Sequence, residues 1–469
     1  MIREIARKEF RELTRDGRFR LSAGIVGGLL LVASLAGFTA WREQAAQRDA
    51  AQNSMQALWF GQPAKNPHSA AHYGLWAFKP QLPLSFIDRG VDPYVGTASW
   101  LEAHRQNEFR FRPAMDATAA QRFGDWTAAA VLQHLVPLLI IVLAFGAFAG
   151  ERERGTLRQL ASLGVPTRAL MTGKALGVAA ALALLLIPVA VVGSALVLNA
   201  MGADGLLRLA AMTAVYLAYF GVVLGATLLV SAKARTARAA LVVLLAAWAV
   251  NGIVAPRLAA DVARMAHPTP TAREFTAEVQ TALANGIDGH SPASARGKTL
   301  EDSLLKAYNV AKVEELPFNF NGFAMQRGEE HGNEVFDHYF DELWSTYAAQ
   351  DRSQLLGAVA SPLIAVRFLS MGIAGTDAAQ HRAFATSAEN YRRELNKKMN
   401  DAIAENAGAG QAFTYQADET LWRSLEPFTY EAPGLGSVWR THLVSAVVLL
   451  LWMGLVAVLT RRSTSLAVV

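Results

Sequence analysis

The side chains best equipped for chemistry in this sequence are a few histidines and carboxylates. His68 and His72 stand four apart in NPHSAAHYG, a spacing that puts both on one face of a helix. His104 follows two positions after Glu102, and Glu330, Glu334 and His338 repeat the four-residue interval in EEHGNEVFDHYF. Imidazole together with carboxylate is a donor set for zinc or copper. The same residues would serve equally as turn caps and solvated helix faces. His68, His72 and His104 are therefore candidates, and no metal ligand is assigned from the sequence. The stretch RGKT at 296–299 lacks the glycine that a phosphate loop needs five positions before Gly297, where Pro292 stands. No zinc-protease or serine-hydrolase motif occurs, so the chain is read as a non-enzyme without a cofactor of its own. With no cysteine there is neither a disulfide nor a thiolate nucleophile.

The elements that must carry these residues are mostly apolar. Of 469 residues 52% are hydrophobic and only 18% charged, below the quarter usual for soluble chains. The excess is gathered in six blocks long enough to cross a bilayer, at 21–41, 126–149, 175–199, 209–230, 239–256 and 439–460. The fold class is thus mainly α, a polytopic membrane protein with six transmembrane helices. The first block lacks a cleavage site at its end and reads as an anchor. Titratable side chains are nearly absent from the blocks, where His134 and Asn251 are the notable polar residues, and this argues against a proton relay.

Charge sets the expected orientation. Segments 1–20, 150–174, 231–238 and the tail after 460 hold 17 basic and six acidic residues, whereas 257–437 holds 16 basic and 24 acidic. By the positive-inside rule both termini are cytoplasmic, and 42–125 and 257–437 lie outside. The pI near 9.4 then reflects topology, and no nucleic-acid partner is called. The run 355–375 could pass for a seventh span, but Arg367 at its middle would cost about 2.5–3.5 kcal/mol. It is read as a buried or membrane-surface helix of the outer region. That region, 257–437, is expected to be mainly helical, with 376–406 its clearest element, while 42–125 is expected to be packed but mostly irregular. Residues 1–20 form an amphipathic helix with Ile5, Phe10 and Leu13 on its apolar stripe, suited to lie against membrane lipid.

One cytoplasmic loop is long enough to fold. Residues 150–160 read GERERGTLRQL, with acids interleaved among the bases and an apolar side at Leu157, Leu160, Ala161 and Leu163. Glu151 and Glu153 favour a helix N-terminus, and Gly155 permits a bend.

This loop resembles the segment between the second and third spans of ABC-2 type exporter permeases. It matches at Gly150, Glu151, Glu153, Gly155, Thr156, Leu157, Leu160, Ser162, Pro166, Arg168, Gly173 and Lys174. ARKEFRELTRDGRF is similar to the interfacial helix of that family, and the stretches HSAAHYGLWAFKP at 68–80 and SPLIAVRFLSMGIAGTD at 361–377 resemble a subgroup whose relatives are labelled as permeases of multicopper-enzyme maturation. The resemblance implies a permease subunit of a bacterial inner-membrane transporter. In it Glu151, Glu153, Gly155, Thr156, Leu157 and Leu160 would form a coupling helix docking on a separate P-loop ATPase. That ATPase, in two copies, would hold ATP and Mg. A second permease chain, identical or homologous, would complete the unit. It would either export a substrate or transmit force to periplasmic partners. The alternative is a membrane-anchored scaffold or receptor with no ATPase.

Overall fold

The computed structural model describes residues 1–116, 118, 126–285 and 295–463, so part of the first expected outer region, 119–125, lies outside the described residues. Helix α1 (Ile2–Arg15) ends at Asp16, whose extended backbone turns the chain and whose carboxylate accepts the Arg18 N–H at 2.8 Å. This caps α2 (Gly17–Phe60), a rod of 44 residues. At 1.5 Å per residue it runs about 66 Å, roughly twice the apolar thickness of a bilayer. The span expected at 21–41 is therefore only its first part. Phe19, Val26 and Leu30 pack among the spans, while Met55 and Trp59, far along the same rod, enter a separate core.

Beyond α2 come α3 (Pro67–Tyr73) and three short strands, β1 (Leu75–Phe78), β2 (Ala98–Glu102) and β3 (Arg105–Gln106). They pair antiparallel in the order β1-β2-β3, with Trp76 opposite Trp100 and Glu102 opposite Arg105. Strands of two to five residues offer too short an alternation to stand out from the Pro-, Gly- and aromatic-rich composition on which the irregular reading rests.

The central spans are α4 (Ala128–Glu153), α6 (Thr167–Ala200), α7 (Gly202–Lys233) and α8 (Ala237–Ala266), with the short α5 (Thr156–Ser162) between the first two. The loop expected at 200–208 is instead a single break. Gly202 takes φ 61° and ψ −139°, and helix resumes at once. Arg208, 2% exposed, anchors the new start: it donates to the carbonyls of Ile373 at 3.2 Å and Pro433 at 2.8 Å, and pairs with Asp204 at 3.1 Å.

Helices α9 (Ala272–Leu283), α10 (Ala295–Tyr308), α11 (Phe320–Leu356), α12 (Pro362–Ala374) and α13 (Ala378–Asn406) form the second insertion, and α14 (Leu443–Arg462) is the last span. The RGKT stretch lies within α10, not in a loop. α12, the doubtful seventh span, has 13 residues, about 20 Å, and does not cross. Its Leu363, Val366, Leu369 and Ile373 are buried in the core of the spans, and Arg367 points out of it. Among the described residues six helices, α2, α4, α6, α7, α8 and α14, are long and apolar enough to span.

A polar chain closes the insertion side of the bundle. Ser370 of α12 donates to Asp88 at 2.5 Å and meets the Tyr216 hydroxyl of α7 at 2.9 Å, which receives a bond from Gln133 of α4 at 3.1 Å. Burial pushes the Asp88 carboxyl above its ordinary range, partly offset by its bonds to Ser370 and the Gly90 N–H. The second core lies wholly outside the bundle. Trp59 and Leu75 of the first insertion meet Phe384, Leu395 and Trp422 of the second, so the two insertions fold as one body.

Candidate functional site at the terminal face

At the other end of the bundle, α1, α5 and the close of α14 gather around the ends of α4, α6 and α7. Val456 and Thr460 of α14 sit against Gly225 there. We call this the terminal face. α1 lies along α6 because two glycines one turn apart leave room for it. A Cβ on Gly173 would come within 2.6 Å of Ile5 Cβ, and one on Gly177 within 2.6 Å of Glu9 Cβ. Ile5, Phe10 and Leu13 are half-buried against the span core, so the stripe read from the sequence faces protein as well as any lipid.

The close approach carries an acid inward. Glu9 is 7% exposed and its Oε2 lies 3.0 Å from Lys174 Nζ on α6. The same ammonium sits 2.9 Å from Glu151 Oε1 at the end of α4, and Lys8 Nζ is 3.8 Å from that oxygen. One lysine, 3% exposed, thus joins three helices through two buried carboxylates. Neighbouring contacts lock the end of α4. The Ser231 hydroxyl oxygen accepts from the Phe148 and Ala149 N–H groups at 3.0 and 3.2 Å, replacing bonds lost where α4 turns. Arg152 donates to the carbonyls of Ala232 at 2.6 Å and Ala234 at 2.7 Å, a cation set on the C-terminus of α7.

From this anchored end the chain swings into α5. Gly155 takes φ 75°, the left-handed region, and the Thr156 hydroxyl donates back to the Glu151 carbonyl at 3.1 Å. The helix closes with Gly164 at φ 71°, where Val165 N–H reaches Leu160 O at 3.1 Å and Gly164 N–H reaches Ala161 O at 3.0 Å. This is a Schellman stop, which fixes where the chain re-enters the bundle.

The residues singled out in sequence are brought together but face different ways. Glu151 is internal and does not start an exposed helix. Leu157 and Leu160 are half-buried against the span core. Glu153, Arg154, Arg158, Gln159 and Leu163 are exposed, Leu163 at 78%. Sequence reasoning passed over Glu9, whose place on a basic helix gave no hint of burial, and the lysine's role between two acids.

Residues 3–307 match the model of the ABC-2 family transporter protein. The chain belongs to the ABC-2 transporter family. It is, accordingly, a membrane-spanning permease of the ABC-transporter class rather than an enzyme. Residues 272–431 match a domain of unknown function, DUF3526, which covers most of the second insertion of this ABC-2 permease. A search of curated proteins returned no match.

The histidine candidates on the insertion side also converge. One ring nitrogen from each of His68, His72 and His104 lies within 4.8 Å of the others. Glu330, Glu334 and His338 do not join them, and Glu330 instead pairs with Arg327 at 2.5 Å. Their neighbour Glu329 does reach the cluster: its Oε1 lies 2.7 Å from His104 Nδ1, and Arg392 of α13 sits 3.2 Å from its other oxygen. Burial alone would raise the Glu329 carboxyl, but the His104 bond and the charges of His104 and Arg392 outweigh it and hold the carboxyl below its usual range. The overlooked signal was the buried row Met325, Glu329, Gly332 and Phe336, in which an acid occupies an inward position of a 3.6-residue period.

Proposed function

We propose that the chain is the permease subunit of an ATP-driven transporter of the bacterial inner membrane, with the terminal face cytoplasmic. A separate P-loop ATPase, in two copies with ATP and Mg, would dock against α5, and a second permease chain, identical or homologous, would complete the unit. The observation that carries this reading is the buried Glu9–Lys174–Glu151 joint directly behind an exposed short helix. A load applied to α5 would pass through Gly155 and Thr156 into an assembly of α1, α4 and α6 that moves as a piece. In this division of labour Glu153, Arg158 and Leu163 meet the ATPase. Glu151, Gly155, Thr156, Leu157 and Leu160 set the position of that surface.

The output is either export of a substrate or force delivered to periplasmic partners. The 44-residue α2 favours the second, since one rigid element links the span core to the outer core. The test is co-purification of the full chain with its ATPase, followed by ATP turnover. Arg158→Glu with Leu163→Asp should abolish co-purification while leaving the permease folded. Retention of the ATPase by that variant would overturn the docking assignment. If no ATPase accompanies the wild-type chain, the membrane-anchored scaffold reading is favoured.

A further inference from the structure

We propose that His68, His72 and His104 form a binding site for a late first-row divalent cation, zinc or copper, with Glu329 as the outer carboxylate that orients His104. The site stands independently of whether an ATPase drives the chain.

Three elements build it. Asn66 caps α3 by accepting the His68 N–H at 3.0 Å, and its amide donates to the carbonyls of Ala412 at 2.7 Å and Tyr415 at 2.9 Å, so the second insertion pins the helix. On α3 the four-residue spacing sets the two imidazoles side by side, their Nε2 atoms 3.1 Å apart. The β2–β3 turn brings the third. Ala103 N–H bonds to Ala71 O at 3.1 Å, and His104 adopts φ 64°, which directs its ring toward α3. Its centroid lies 5.4 Å from that of His68 and 5.0 Å from that of His72.

The separations fit coordination. Two imidazole nitrogens about 2.0–2.1 Å from one ion at a tetrahedral angle stand roughly 3.3 Å apart, close to the 3.1 Å between His68 and His72. Glu329 Oε1 accepts from the His104 backbone N–H at 2.8 Å and meets Nδ1 at 2.7 Å, so Nε2 is the donor atom this ring would offer an ion. A carboxylate behind a ligating imidazole fixes its tautomer and raises its basicity. Glu329 is held in turn by Arg392 at 3.2 Å and the Asn396 amide at 3.3 Å. Neutral imidazoles backed by carboxylate select zinc or copper over magnesium or calcium. His72 is exposed and gives an ion its way in. Because the ligands come from the first insertion and the orienting acid from the second, occupancy would clamp the two together.

The test uses untagged full-length protein in detergent, stripped with a chelator and titrated separately with Zn²⁺ and Cu²⁺ against a chromophoric competitor. One equivalent of either ion should bind, with Cu²⁺ the tighter as for any imidazole site. His72→Ala, an exposed change that leaves the fold intact, should weaken binding at least 100-fold, and Glu329→Gln about 10–100-fold. Co²⁺ should show the intense visible bands of a tetrahedral nitrogen-rich site in the wild type and lose them in His72→Ala. Affinity equal in wild type and His72→Ala, with identical thermal midpoints, would overturn the proposal, as would a Co²⁺ spectrum unchanged by that substitution.

Discussion

Two of the places where the molecule buries charge are built on different plans. At the terminal face one lysine stands between Glu9 and Glu151, and among the described residues no second buried cation shares the load: Lys8 is 3.8 Å away and its side chain is 58% exposed. Around Arg392 in the insertions each charge has several partners. Arg392 donates to Glu389, Glu329 and Asn333, and Arg393 also holds Glu389 while bonding Asp337. The first is a single pin through three helices, and the second is a net. A pin passes displacement between the parts it joins, whereas a net resists it. That contrast is what the proposed reading asks of a driven end that moves as one piece and of an insertion body that keeps its shape.

The sharpest way to break the contrast is to pull the pin. Lys174→Met leaves two carboxylates buried without a counter-charge, and losing one partner of a buried ion pair costs about 3–5 kcal/mol. The thermal midpoint of the purified chain should fall steeply, and adding Glu9→Gln and Glu151→Gln should restore most of it. A midpoint unchanged by Lys174→Met would show that the joint is not under electrostatic load.

The same change made in the net should cost less. Arg392→Met removes bonds to Glu329 and Glu389, but His104 and Asn396 still hold the first acid and Arg393 the second. Losing charge-assisted hydrogen bonds whose partners remain satisfied elsewhere costs about 2–3 kcal/mol. Equal losses for Arg392→Met and Lys174→Met in a side-by-side melt would erase the distinction between pin and net.

How far these places were legible in the sequence depends on what each residue could reveal alone. The six spans were visible because a bilayer demands long apolar runs, and α13 because its apolar residues recur at helical spacing from Phe384 to Ile403. The break at Gly202 was not, since a lone glycine between apolar blocks looks like any loop. Leu157 and Leu160 carried the right pattern but the wrong address. An apolar stripe on a short exposed helix predicts contact, and it does not say whether that contact is the protein's own core or a partner. Glu9 and Glu329 were missed for a shared reason: a buried acid is recognised by its partner, and both partners lie more than 60 positions away.

The insertion body should also respond to acid, through a buried histidine. His381 of α13 is 5% exposed and packs its ring 4.6 Å from Phe109 and 6.0 Å from Trp344. Burial, with help from the nearby Lys79 charge, pushes its pKa from 6.5 down to about 3. A base depressed on folding contributes stability that is present above its unfolded pKa and is lost as pH falls toward the folded value. Between pH 6.5 and about 3 its contribution should therefore decline, at up to about 1.4 kcal/mol per pH unit. Asp351, raised by burial to about 6, works in the opposite sense between 3.8 and that value. The histidine's share is read as the difference between wild type and His381→Leu across an acid titration of unfolding. Parallel curves would mean that His381 charges without cost.

The smallest expected change in stability is at Gly155, and it separates position from strength. Nothing lies within 4 Å of where a Cβ would sit, so Gly155→Ala meets no obstacle in space. What it meets is the left-handed backbone at φ 75°, which costs a residue with a side chain about 1–2 kcal/mol. The chain can relieve that cost by rotating α5 away from the end of α4, since Thr156 is tied there by one hydroxyl bond to Glu151 O. Relief by rotation would leave the buried Glu151–Lys174 contact in place, and the thermal midpoint would drop by only a few degrees. The angle at which Arg158 and Leu163 are presented would change all the same. On the proposed reading, Gly155→Ala should therefore reduce stimulation of the ATPase far more than it reduces stability, the reverse of Arg392→Met. If ATP turnover and midpoint fall in proportion, α5 is merely part of the folded core, and its turn carries no signal.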